Sequence, residues 1–329
     1  MLSRVADAIH WMGRYVERAE NLARFVDVTY QLNLDLPTPA DQQWQPLVST
    51  TGDQAWFAQR YGEANRENVV RFLTFDADYP NSIISCLRAA RENARSIRET
   101  ISSEMWEQLN HFFHMVNAAA DDEQVLQSPQ VFFNEVKLSS HLFRGITDGT
   151  MSHGEGWHFV RLGRHMERAD KTSRILDVKY YVLLPKVTDV GTPVDDVQWS
   201  AVLRSVSGFE MFRKRHHGIT PERVVDFLML DRLFPRAIMY CLNAANDSLH
   251  AIAGSPHDTF TNIAEKRMGQ LRSDLAYTQV PDIMSCGLHE FVDKFQKKLN
   301  AAGAAIYETF IALRSVPEAF SSFQEQESA

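Results

Sequence analysis

GRYVERAENLARFVDV (residues 13–28) returns almost intact as GRHMERADKTSRILDV (residues 163–178). At an offset of 150, eight of the sixteen positions are identical: Gly13/Gly163, Arg14/Arg164, Glu17/Glu167, Arg18/Arg168, Ala19/Ala169, Arg24/Arg174, Asp27/Asp177 and Val28/Val178. Glu20/Asp170 is a conservative ninth. At an offset of 155, residues 69–90 match residues 224–245 at eleven of twenty-two positions, and Trp44 and Trp199 share that offset. Self-similarity at a fixed spacing marks an internal repeat. The chain therefore reads as two units, 1–152 and 153–315, which break near MSHGEGW (151–157). Two units are too few for a solenoid, so they are expected to pack about a pseudo-twofold axis as one body. The polar end, 316–329, is expected to be a disordered tail.

The rest of the 329 residues fits an all-α helical bundle. Glycine (15) and proline (12) are scarce and cluster between long periodic segments. The spacing predicts helices at about 3–34, 53–75, 80–116, 121–150, 154–183, 198–214, 220–231, 235–253, 258–278 and 286–315. Pro80 and Pro235 are expected in first helical turns, where a missing N–H costs nothing. Asp76 and Asp231, just before them, read as turn or cap residues.

A helical wheel of residues 9–30 separates three stripes. Ile9, Met12, Val16, Ala19, Ala23, Val26 and Tyr30 form an apolar face suited to a core. Gly13, Glu17, Glu20, Arg24 and Asp27 adjoin it, and Arg14, Arg18 and Asn21 follow. Glu20 and Arg24 stand at i,i+4 with the acid first, the favoured order. A solvated face would drift between copies. Here apolar positions drifted (Val16 to Met166, Phe25 to Ile175) while Gly, Arg, Glu and Asp stayed. Glycine inside a helix costs up to about 1 kcal/mol against alanine. Its retention at both positions points to another backbone in close approach. The charged residues thus read as a partly buried polar network, with Glu17 and Glu167 receiving arginine hydrogen bonds. If the copies meet on the axis, both Glu–Arg sets line one cleft. The network can be structural, a ligand or catalytic site, or a partner surface.

A second basic stripe, Arg88, Arg91, Arg95 and Arg98, is not duplicated; its counterparts are Asn243, Asn246, His250 and Ala253. One-sided arginines suit an anionic phosphate or carboxylate, although an exposed helix face explains them equally. The candidate ligand-binding residues are therefore Arg14, Arg18, Arg24, Arg164, Arg168, Arg174, Arg88, Arg91 and Arg95, with Glu17 and Glu167 as candidate catalytic groups.

Composition excludes several classes. The net charge of −8 disfavours nucleic acid. No apolar run is long enough to span a membrane, and the first residues lack the apolar core of a secretory signal. Cys86, Cys241 and Cys286 form no metal-like cluster, and Cys86 and Cys241 read as core residues; reduced thiols and a cytoplasmic address are expected. Glu155-Gly-Trp-His158 fits one Glu-x-x-His step of a di-iron bundle, but no second copy exists. No metal and no cofactor is expected. G-x-S-x-G, P-loop and G-x-G-x-x-G motifs are absent.

MLSRVADAIHWMGRYVERAEN (1–21), ARENARSIRETIS, WEQLN (106–110) and EGWHFVRLGRHMERAD (155–170) resemble, in order, the alpha-E family, an all-helical bacterial family with a Glu-Arg ("ER") motif. The resemblance covers about residues 1–315 and puts the ER motif at Glu17-Arg18 and Glu167-Arg168. It implies action beside a circularly permuted ATP-grasp ligase and a transglutaminase-like peptidase. The chain would then be an accessory or second-enzyme component of a peptide- or amide-forming system, binding an anionic peptide-like intermediate. The alternative is a non-catalytic interaction module whose ER motifs are internal glue.

Overall fold

The computed structural model describes residues 1–35, 41–122, 125–126, 128–182 and 193–312. The expected tail at 316–329 lies outside them. Among the described residues the chain is all helical, with no strand. Its helices are α1 Ser3–Asp35, α2 Asp41–Thr51, α3 Gln54–Tyr61, α4 Arg66–Thr74, α5 Ile83–Ser96, α6 Ser103–Ala119 and α7 Gln130–Thr150. They continue as α8 Glu155–Val182, α9 Pro193–Ser205, α10 Phe209–Arg215, α11 Pro221–Val225, α12 Ile238–Ala253, α13 Ile263–Ala276, α14 Val280–Cys286 and α15 Leu288–Phe310. A π-helical turn, Asp226–Leu230, extends α11.

Several expected helices prove to be pairs. The 53–75 segment divides where Gly62 takes a left-handed φ of 71° and the Asn65 side chain caps α4. The 80–116 segment divides at Ile97–Ser102, where Ser102 accepts the Met105 N–H and opens α6. The 198–214 segment divides at Ser207, a non-glycine residue at φ 51°, followed by Gly208. α2 has no counterpart among the expected helices because Pro46 sits inside it. Pro80 and Pro235 are not in first turns, a correction: the helices begin at Ile83 and Ile238, and both prolines belong to the preceding turns. Asp76 and Asp231 do form those turns. Asp76 Oδ1 accepts the Asp78 and Tyr79 N–H groups, and Asp231 Oδ1 accepts those of Leu233 and Phe234.

The long helices α1 and α8 lie side by side at the centre, with α5 and α7 packed on α1 and with α12 and α15 packed on α8. Ile9, Met12, Val16, Ala19, Ala23 and Val26 are buried, as their wheel position requires. One apolar cluster gathers residues from Ala6 to Val160 and another from Leu162 to Ile306. Ile252 and Phe310 touch both. Trp44 and Trp199 are buried, as are Cys86 and Cys241, whose thiols burial pushes up to about 12. Those two cysteines are packing residues rather than nucleophiles.

Candidate functional site

The backbones of α1 and α8 meet at two glycines. A Cβ built on Gly13 would stand 2.6 Å from the Val160 carbonyl oxygen, and one on Gly163 would stand closer still to that of His10. Only glycine lets the backbones meet this way. The contacts then advance together along both helices, to Glu17 and Arg18 on one and Glu167 and Arg168 on the other. The two helices therefore run in the same direction.

Their charges pair across the seam, reciprocally. Arg168 donates Nε and Nη2 to the two oxygens of Glu17 at 2.8 and 2.7 Å. Arg18 donates Nε and Nη2 to the two oxygens of Glu167 at 2.6 and 3.0 Å. Each glutamate thus holds the other helix's arginine in bidentate form, the strongest geometry for such a pair. Arg14 Nε adds a third bond to Glu167 at 3.0 Å. Glu17 also accepts from Arg236 and from the Asn21 amide. Both glutamates are buried, Glu167 completely.

The next turn continues the network. Glu20 accepts Arg24, the expected i,i+4 partner, and also Arg236, Ser140 and His141. Asp170 holds Lys171 and Arg174. Arg174 also donates to the Thr50 carbonyl, and Arg24 to the Ser207 hydroxyl. Lys137 pairs with Asp27, and His289 meets Asp177. Arg164 stands apart: its nearest acid, Asp148, is 3.9 Å away.

Sequence reasoning missed Arg236, Lys171, Lys137, Ser140 and His141. A signal for Arg236 did exist. It follows Pro235 as Asn81 follows Pro80, and Asn81 accepts a bond from Arg18 at 2.6 Å. Both positions reach the seam, Asn81 as an acceptor and Arg236 as a donor, and their residues differ, so identity matching passed over them. The stripe Arg88, Arg91 and Arg95 lies away from the seam. Arg91 bonds Asn110 and stacks on Trp106 and Phe113, Arg95 pairs with exposed Glu92, and Arg98 covers Trp106. It braces α5 against α6. Among the described residues no cluster of metal-ligating side chains occurs.

Burial alone would raise the carboxyl of Glu167, but Arg18, Lys171 and Arg14 overcome it and hold it well below the carboxylate range. Glu17 is lowered against the same burial by Arg168 and Arg236. Against burial again, Arg236, His141 and Arg24 hold Glu20 well below its usual value. These are permanently ionised groups at neutral pH, poor as general bases. Two histidines behave oppositely. Burial, aided by Arg14, pushes His10 down to about 3, and burial with Arg164 and Arg168 holds His165 well below its usual value.

These shifts make the fold sensitive to acid. A histidine kept neutral in the fold protonates more readily when unfolded. Its contribution is complete above the unfolded value of 6.5 and is lost as pH falls toward the folded value. The carboxylates contribute in the same sense, but only below the ordinary 4.5. Acidification should therefore cost up to about 2 kcal/mol per buried histidine by pH 5, before carboxylates titrate. Thermal unfolding between pH 7 and 5 checks this: a falling midpoint is expected, and a flat profile would contradict it.

Residues 1–311 match the Alpha-E family model, described as a predicted alpha-helical domain with a conserved ER motif. Similar proteins include uncharacterized proteins of Mycobacterium bovis and Mycobacterium tuberculosis. Each is 24% identical over 275 residues, which cover 77% of this chain and 30% of the relative. This chain therefore spans under a third of the length of the curated relatives it matches. No solved structure matches. Among the described residues, no helix is long and apolar enough to cross a membrane.

Proposed function

This chain belongs to the Alpha-E family, and from that premise we propose that it is the helical accessory component of an ATP-grasp-dependent system forming peptide or amide bonds. In this reading the ER motifs are a structural latch, and an anionic peptide-like intermediate is received by arginines outside the latch. The observation that carries the latch is the reciprocal bidentate pairing of Glu17 with Arg168 and Glu167 with Arg18. Every oxygen of the two glutamates is engaged by a guanidinium, which leaves neither free to take a proton from substrate. A second-enzyme role for Glu17 and Glu167 would need one of those pairs to open.

Two further features support a component that works with others. The mycobacterial relatives carry this region within much longer chains. The resemblance of the ER segments also brings a circularly permuted ATP-grasp ligase and a transglutaminase-like peptidase as expected partners. We place the assembly in the cytoplasm, where ATP is available. We also read the body as two related units, 1–152 and 153–315. The reciprocal pairs, the matched glycine contacts, the Asp76 and Asp231 turns and the two apolar clusters favour that reading.

The test is affinity purification of the tagged chain from its native host, at native expression level, low salt and with ATP, followed by mass spectrometry. Stoichiometric recovery of an ATP-grasp ligase is expected. Recovery of the chain alone would overturn the proposal.

A further inference from the structure

Arg164 belongs to the same repeated motif as Arg14 but is held differently. Arg14 is bonded to Glu167. Arg164 reaches no carboxylate at hydrogen-bonding distance among the described residues. Asp148 lies 3.9 Å off, and its Oδ1 already accepts the Trp157 indole N–H. The Arg164 side chain is only 13% exposed, and its buried Nε has no partner. An unpaired buried donor on a charged group is costly, which marks the position as one built for something else.

That something has a place to sit. Arg164 lines a small cavity of about 20 Å³ between α7 and the α1–α8 seam, and Arg144 of α7 lines it from the other side. Arg144 pairs with no acid among the described residues. Two arginines thus flank one cavity, neither of them hydrogen-bonded to a carboxylate among the described residues. The other charged groups facing it, Glu17 and Glu20, are already taken by Arg168, Arg236 and Arg24. Ser140 and Thr147 also line it, but each spends its hydroxyl proton elsewhere, on Glu20 and on the Phe143 carbonyl. The donors left over are guanidinium N–H groups.

We infer that Arg144 and Arg164 form a binding site for a single carboxylate, the carboxyl end of a peptide-like ligand that enters between α7 and α8. The cavity has room for about one water-sized body, so it admits one oxygen of the ligand while the remainder lies outward along half-buried Arg144. Glu17 and Glu20 on its wall select against a dianion such as phosphate, because a second negative charge would face them in a poorly screened setting. A monoanionic carboxylate gains two charge-assisted bonds and meets less repulsion. The site deepens the anion-binding part of the proposed function, and rests on it only for the peptide-like body of the ligand.

The experiment uses the full chain alone, in low-chloride buffer, with calorimetric titration of N-acetylglycine against N-acetylglycinamide and inorganic phosphate. Saturable binding of N-acetylglycine is expected, with no binding of the amide and weaker binding of phosphate. Arg144→Gln should weaken the carboxylate at least about tenfold, the loss of one charge-assisted hydrogen bond. Arg164→Gln should abolish binding. Because Arg164 is buried, Arg144→Gln, on a half-buried residue, is the variant that decides if Arg164→Gln fails to fold. Absence of binding, equal binding of the amide or of phosphate, or unchanged affinity in Arg144→Gln would each overturn the inference. No partner protein takes part, so failure here leaves the ligase proposal standing, and failure to recover a ligase leaves this site standing.

Discussion

Glu167→Gln should lower the melting temperature by roughly 5 °C, corresponding to about 3–5 kcal/mol for opening one side of a buried ion pair. The substitution keeps the shape of the side chain and removes its charge. Arg18, Arg14 and Lys171 then face a neutral amide, whose NH2 group points donors at donors. The energy lost is less the worth of the pair than the expense of leaving cations buried without compensation. Glu17→Gln should behave alike, since Arg168 and Arg236 lose the same counter-charge. Glu92→Gln, at an exposed pair with Arg95, should cost no more than about 1 kcal/mol of stability and serves as the control. Calorimetric melting of the three variants decides the role of the motif. A large loss of stability supports a latch. Unchanged melting together with abolished pathway output would instead make Glu167 a chemical group and return the enzyme reading to first place.

Gly163→Ala inverts the usual helix rule. On an open helix surface that exchange gains up to about 1 kcal/mol. At this position the new methyl would press on the His10 backbone, which no rotamer change relieves. A cost of about 3 kcal/mol is expected, at the upper end of what overpacking does, because two helix backbones must separate. Separation would also stretch the Arg18–Glu167 and Arg168–Glu17 bonds immediately along the seam. Gly13→Ala, against the Val160 carbonyl, should cost nearly as much. Gly145→Ala and Gly149→Ala meet nothing within 4 Å and should be neutral or slightly stabilising. Chemical denaturation of the four variants makes the comparison. Equal behaviour of Gly163→Ala and Gly149→Ala would show that the seam does not close as described.

Much of the central seam is legible in the chain's own periodicity. The 3.6-residue spacing of Ile9, Met12, Val16, Ala19 and Ala23 reports burial directly, because a helix presents its residues at fixed angles. The retention of Gly13 and Gly163 in both copies, against the helix cost of glycine, reports a close approach. The local pair Glu20–Arg24 follows from i,i+4 geometry. Non-local partners have no such signature. That Glu17 takes Arg168 rather than Arg18, that Arg236 joins from a turn 219 residues away, and that Arg164 is left without a close acid depend on where α8, α12 and α7 come to rest. Helix breaks are equally hidden: Ile97 is apolar and buried, and only Ser102, capping the next helix, betrays the interruption.

The sequence by itself therefore determined an all-helical chain, the buried face of its central helix, the repeated ER segments and the family to which they belong. The helices and the buried face are written in periodicity, which acts over one or two helical turns, whereas the repeat is read from self-identity and the family from the resemblance of the ER segments. Tertiary structure alone decided which charges cancel and which do not. In a low-dielectric interior the energy of a charge depends on partners within a few ångströms, and here those partners arrive from distant parts of the chain.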